Sequence, residues 1–172
     1  MRNIISKDSM PVSSWSGGRT TEIFIFPVGE RYSDRNFLFR ISTAEVELDS
    51  SDFTSLPDYE RLIACLSGEM LLTHNGGDSI RVEPMSSVHR FDGGADTHCE
   101  GRASDLNLML RKGRAKGSLR FVSAGEKLSF CLSDKQFAVI YSPSEGRAAV
   151  MTDGKFTEET ASLSAVFYVE LI

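Results

Sequence analysis

The chain has 172 residues, of which 41% are hydrophobic and 25% charged, which fits one globular domain or two small fused halves with a real core. The formal net charge of -5 argues against a nucleic-acid binder, and the one basic stretch, RKGRAKGSLR at 111–120, reads as a solvated loop. No run approaches the roughly 20 apolar residues that span a bilayer, and the first 16 residues lack the apolar run of a secretory signal, so a cytoplasmic protein with no membrane partner is expected.

The predicted elements are short strands separated by turn residues. TTEIFIFPV (20–28) is one strand and NFLFRISTAEVELD (36–49) a longer one. YERLIACLSGEMLLTHNGGDSIRVEPM (59–85) reads as two or three strands around a hairpin whose turn is Asn75-Gly76-Gly77-Asp78. SDLNLMLRK (104–112), KQFAVIYSP (135–143), RAAVMTDGKF (147–156) and SAVFYVELI (164–172) are further strands. The best helical candidate is a single turn in TEETASL (157–163). This pattern predicts an all-β fold, an antiparallel sandwich or barrel. The Lys, Arg and Gly cluster at 111–118 marks a connection, giving a larger N-terminal lobe (1–113) and a smaller C-terminal β lobe (114–172). Three widely spaced cysteines, Cys65, Cys99 and Cys131, do not form a disulfide framework, and Cys65 inside LIACL reads as a small buried hydrophobe.

Alternation places several polar residues on inner faces. In residues 37–48, Leu38, Arg40, Ser42, Ala44, Val46 and Leu48 share one face, and the other turns acidic at Glu45 and Glu47. Arg40 therefore points inward and needs an anionic partner, from the protein or from a ligand. Arg61 shares a face with Ile63 and Cys65, or else is a residue at the start of its strand with a solvated head. Asp105 and Asn107 alternate with Leu106 and Leu108; they either face a polar cavity or face solvent. Glu22 alternates in phase with Thr20, Phe24 and Phe26, which makes it an inward carboxylate and the natural counter-charge for Arg40. Trp15, the only tryptophan, precedes Gly17 and Gly18 and is either a core anchor or one wall of a cavity mouth.

Other chemistries find little support. SGGRT lacks the lysine and spacing of a P-loop, and no GxSxG elbow occurs. His74, beside the hairpin turn, reads as exposed, and His89 as a residue of a strand edge. Asp96, His98, Cys99 and Glu100 carry donor types suited to a transition metal, but without paired spacing; no metal or cofactor is expected.

The stretches WSGGRTTEIFIFP, NFLFRISTAEVELDSSDFTSLPDYERLIACLSGEMLL and DLNLMLRKG resemble the HutD/Ves family. The matching positions are Trp15, Gly18, Thr20 and Glu22, then Arg40, Ser42 and Ala44, then Phe53, Pro57, Arg61, Leu66 and Gly68, and finally Asp105 and Asn107. Asp58 stands where that family usually has glycine, Leu56 where it has an aromatic residue, Leu106 where it has Phe, and Phe39 where Trp is common. The resemblance implies a cupin-like antiparallel β-barrel or jelly roll, two-lobed (bicupin-like) in one chain, without the His-x-His metal signature. It also implies an accessory or regulatory role in histidine utilisation, with a small anionic ligand such as formylglutamate or urocanate, and a homodimer at family level.

The leading expectation is a metal-free small-molecule binder. Arg40 and Arg61 would clamp a carboxylate, Thr20, Ser42 and Asn107 would orient its polar end, Glu22 and Asp105 would fix the arginines or accept from a ligand nitrogen, and Trp15 would form an apolar wall. One alternative is a metal-free isomerase, epimerase or hydrolase with Glu22 or Asp105 as general base and His89 as general acid. The other is a structural or interaction protein whose inward charges pair only with each other.

Overall fold

A computed structural model describes all residues, 1–172. The fold is all-β with antiparallel pairing throughout. In chain order the strands are β1 (Arg2–Ser6), β2 (Val12–Trp15), β3 (Gly18–Phe26), β4 (Phe39–Val46), β5 (Ser50–Asp52), β6 (Tyr59–Gly68), β7 (Leu71–His74), β8 (Ser79–Arg81), β9 (His89–Asp92), β10 (Thr97–Glu100), β11 (Ala103–Arg111), β12 (Ala115–Val122), β13 (Lys127–Ser142), β14 (Arg147–Glu159) and β15 (Ser164–Leu171). Short 3-10 turns cover Lys7–Ser9 and Tyr32–Asp34. No helix is long and apolar enough to cross a membrane.

The chain divides into two compact units, residues 11–112 and residues 1–10 with 113–172. The first holds a six-stranded sheet, β2-β3-β4-β11-β6-β9, and a four-stranded sheet, β5-β10-β7-β8. The two sheets pack through Ile63 and Cys65 on β6, Leu72 on β7, Phe91 on β9 and Cys99 on β10. The expected barrel is not closed: both sheets keep free edges, at β2 and β9 and at β5 and β8. The predicted hairpin turn joins β7 to β8, with Asn75 at φ 52° and Gly76 at φ 68°, the doubly left-handed backbone that tight hairpins favour.

The second unit is one five-stranded sheet, β1-β14-β13-β15-β12. Leu132, Ala138 and Met151 form one apolar cluster on it and Val122, Leu128 and Val166 another. Residues 1–10 belong here, not to the first lobe as the sequence suggested, because β1 pairs with β14 from Arg2↔Met151 to Ser6↔Arg147. Two local readings also change. The basic stretch is a strand from Ala115 onward, held by β15, with Ala115, Leu119 and Val122 buried. The expected helical turn at 157–163 is instead the end of β14, where the ladder Thr157↔Ser129 to Glu159↔Lys127 extends the backbone, followed by a bend within 160–163.

Candidate ligand-binding site

Paired residues on neighbouring strands share a face, so the registers of the six-stranded sheet define three rungs across its inner surface. The first runs Ser13, Thr20, Ala44, Asp105, Cys65. The second runs Glu22, Ser42, Asn107, Ile63, His89. The third runs Ile25, Arg40, Met109, Arg61, Phe91. Two bulges make this alignment possible. On β3 the pairing steps from Glu22↔Ser42 to Phe24↔Ile41, an extra residue at Ile23. On β6 it steps from Ser67↔Ser104 to Cys65↔Asp105, an extra residue at Leu66.

The β3 bulge corrects the reason for which Glu22 faces inward. Simple alternation would put it with Phe24 and Phe26. Those rings instead pack with Phe39 on the opposite face, at centroid distances of 5.7 and 5.6 Å. The bulge resets the phase, so Glu22 joins Ser42 and Arg40. Arg40 Nε–H donates to Glu22 Oε2 at 2.7 Å, and Arg40 Nη1 donates to Ser42 Oγ at 3.3 Å. The Tyr32 ring covers the guanidinium at 4.5 Å.

The rungs floor a cavity of about 220 Å³. Thr20, Arg40, Ser42, Arg61, Asp105 and Asn107 line it, with Trp15 at its edge. Glu22 is the one expected site residue outside the lining; it reaches the site through Arg40. Trp15 is 38% exposed and so is a wall, not a core anchor. Its indole lies over Gly17, where a Cβ would come within 2.0 Å of the ring, and a Cβ on Gly18 would sit 1.9 Å from the Glu45 carbonyl oxygen. Both glycines are needed for this close approach.

The two arginines are not equivalent. Arg61 is 5% exposed, makes no ion pair, and has a buried Nε with no hydrogen-bond partner. Its guanidinium lies 4.8 Å from the Phe53 ring and 5.3 Å from the Phe91 ring. Burial lowers its pKa to about 10, so it keeps its charge at neutral pH. Asp105 is 4% exposed, and its Oδ1 is buried without a partner, as is Asn107 Oδ1. Burial raises the Asp105 pKa to about 7, against the opposing pull of Arg61 and the Ala44 backbone N–H. Of the two readings of Asp105 and Asn107, the cavity-facing one holds, although Leu106 and Leu108 on the other face are fully buried too.

Sequence reasoning missed Tyr32 and Phe53, which line the cavity and cover the guanidinium groups of Arg40 and Arg61. Phe53 had a signal, as a position of the family pattern; Tyr32, in the short 3-10 turn between β3 and β4, had none. His74 is not exposed as expected. Its Nε2 lies 2.8 Å from His89 Nε2, joining β7 of one sheet to β9 of the other, and its ring packs on Phe91 at 4.6 Å. Thr97 Oγ1 donates to the Ala95 carbonyl, so it accepts from His74 Nδ1–H; neutral His74 then accepts at Nε2 from His89 Nε2–H. Burial lowers both histidine pKa values, helped by Arg61 for His74 and by His74 for His89. No three His, Cys, Asp or Glu side chains converge as a metal site. His98 Nδ1 contacts Asp52 Oδ1 at 2.6 Å, while Cys99 is fully buried between the sheets.

Asp105 gives stability a pH signature. Its native pKa lies above the unfolded value of about 3.9, so the stability it contributes is complete below that pH and is lost as pH rises through about 7. The histidines act in the opposite sense, since their lowered pKa values cost stability as pH falls below about 6.5. The difference between wild type and Asp105→Asn isolates the carboxyl. Urea denaturation at pH 5 and pH 8 is expected to shift that difference by roughly 2 to 3 kcal/mol in favour of Asp105→Asn at pH 8. A constant difference would show that Asp105 ionises normally.

A model of the HutD family matches residues 7–168. No curated protein matches the chain. Similar solved structures include the conserved protein PA5104 from Pseudomonas aeruginosa PAO1, at 21% identity and TM-score 0.78, covering 99% of this chain and 98% of that one. HutD from Pseudomonas fluorescens SBW25 is similar at 19% identity and TM-score 0.80 over 100% of both chains. The bacterial pirin YhhW from Escherichia coli, solved with nickel(II), is similar at 11% identity and TM-score 0.64 over 99% of both. At these identities the likeness is one of fold, and the fold is cupin-like.

Proposed function

Because the chain belongs to the HutD family, we propose that it is a metal-free small-molecule binder acting as an accessory or regulatory factor in histidine utilisation, with a small carboxylate such as formylglutamate or urocanate as its ligand. The observation that carries this reading is Arg61, a buried guanidinium that lines a cavity in no ion pair, with Asp105 acting on it only through space. A buried charge without a partner is costly, and a ligand carboxylate would supply that partner bidentately. The lining donors are guanidinium, hydroxyl and amide groups suited to a polar organic anion. The five-stranded unit is read as the counterpart lobe of a bicupin-like chain.

The test is a thermal-shift titration with urocanate and with formylglutamate. A ligand at a hundredfold excess over its Kd stabilises the native state by about 2.7 kcal/mol. An upward shift that keeps growing with the logarithm of ligand concentration above Kd is expected for at least one of the two. No shift with either sinks the ligand assignment.

Asp105 supports a second reading, because a cavity carboxyl with a near-neutral pKa suits a general base. The expected partner acid is not in place: His89 is engaged by His74 and does not line the cavity. Turnover of a small polar substrate that Asp105→Asn abolishes would establish the enzyme. The purely structural reading accounts for Arg40 and Glu22, but not for the cavity beside them or for Arg61.

A further inference from the structure

The charges around the cavity do not balance symmetrically. Arg40 is neutralised by Glu22 at 2.7 Å, which leaves Arg61 as the buried cation outside any ion pair, felt by Asp105 only through space. On the rung at the other end of the floor, Asp105 presents a buried Oδ1 with no donor, and Asn107 Oδ1 on the rung between is also without one. Asp52 adds another carboxylate to the lining, engaged with His98. The site therefore offers one place for an anion and at least one place that requires a hydrogen-bond donor. A second anionic group would approach Asp105 at low dielectric, where like charges repel strongly.

We infer that this cavity selects a ligand carrying a single carboxylate, held by Arg61, and an N–H donor at its other end, held by Asp105 and Asn107, and that it discriminates against a dicarboxylate of the same size. This rests on the carboxylate-binding reading above and narrows it to urocanate, which has one carboxylate and a ring N–H at its far end, against formylglutamate, which has two carboxylates. Asp105 and Asn107 are the specificity-determining residues, since they act on the part of the ligand that Arg61 does not reach. The other titratable or charged groups around Asp105 are Arg61 and Cys65 on β6, Arg40 on β4, Glu22 on β3, Cys99 on β10, Asp52 on β5 and Tyr32 in its loop. The thiols are buried, with pKa values raised by burial and by Asp105, so they stay neutral and bring no competing charge.

Three probes with equal numbers of heavy atoms separate the terms. Succinamate has one carboxylate and, at its other end, an amide NH2. Levulinate replaces that NH2 with CH3 and is otherwise isosteric. Succinate carries a carboxylate at each end. Their Kd values are measured by NMR titration of the full chain at pH 8, where Asp105 is mostly ionised. Succinamate is expected to bind at least about tenfold more tightly than either of the others, the scale set by leaving a buried charged acceptor without its donor. Asp105→Asn keeps the side-chain shape and removes the charge, and is expected to bind succinate at least about tenfold more tightly than wild type does. Levulinate or succinate matching succinamate within about twofold overturns the selectivity and leaves carboxylate binding intact. Unchanged succinate affinity in Asp105→Asn also overturns it. No binding of succinamate overturns it as well. A thermal shift with formylglutamate but not with urocanate overturns the selectivity too, and no shift with either takes the binding reading down with it.

Discussion

Arg61→Met is expected to make the protein more stable and unable to bind a carboxylate. The two effects have one cause. Arg61 holds a charge in a buried position with no ion-pair partner and an Nε without an acceptor, so the folded state bears its desolvation cost. Its surroundings suit a thioether: the rings of Phe53 and Phe91 lie over the guanidinium, and Met109 is its cross-strand partner. Replacing buried charge with a well-packed apolar side chain is stabilising by about 1 to 4 kcal/mol in favourable cases, and the absence of a partner places Arg61 among them. Loss of the charge-assisted contact is expected to weaken carboxylate binding by about 2 to 5 kcal/mol, which is 30-fold or more. Urea denaturation and a ligand titration on the same variant check both. A variant less stable than wild type would mean that Arg61 holds the fold together, and the functional reading would lose its main support.

Glu22→Ala is expected to produce the opposite result, a large loss of stability. Arg40 and Glu22 form an ion pair in which the side chains are 6% and 18% exposed. Removing the carboxylate leaves Arg40 charged, buried and unpaired. Breaking a buried pair from one side costs about 3 to 5 kcal/mol, and the partial exposure of Glu22 points to the lower end. The same two strands carry an internal control. Arg19 and Glu45 pair across β3 and β4 at 2.6 Å, but their side chains are 55% and 54% exposed. Arg19→Ala is expected to change stability far less than Glu22→Ala does, because water screens the exposed pair. Adding Arg40→Met to Glu22→Ala is expected to recover most of the loss, because it removes the stranded charge. If Glu22→Ala costs no more than Arg19→Ala, water reaches Arg40 and the pair does not organise the site.

These residues also show how far alternation carries. It found Arg40 and Ser42 on one face of β4, and the acidic turn of the other face beyond Thr43 was the contrast that made this possible. The contrast was weaker than it looked, because Phe39 and Ile41 on that other face are fully buried as well. For β11, where both faces are buried along its length, periodicity left Asp105 and Asn107 undecided. The bulges at Ile23 and Leu66 were invisible because a bulge is a relation between two strands. Glu22 was thus placed correctly for the wrong reason. The His74–His89 contact was hidden in the same way: the residues are 15 positions apart on strands of different sheets, and neither has a local pattern that points to the other. The family resemblance bridged part of this gap, since its pattern picks out Glu22, Asp105 and Asn107 together with Arg40 and Arg61.

The place of β1 bears on how the chain is made. Arg2 leaves the ribosome long before its partner Met151 does. Until then the opening strand has nothing to pair with, while residues 11–112 already contain both of their own sheets and the whole cavity. The cavity unit can therefore assemble during synthesis, whereas β1 must wait for β14 to close a loop spanning most of the chain, and the sheet is complete only with β15. An affinity tag fused ahead of Met1 would burden the β1–β14 pairing, since the terminal ammonium donates to the carbonyl of Asp153 at 2.9 Å. A tag after Ile172 leaves this N-terminal contact undisturbed.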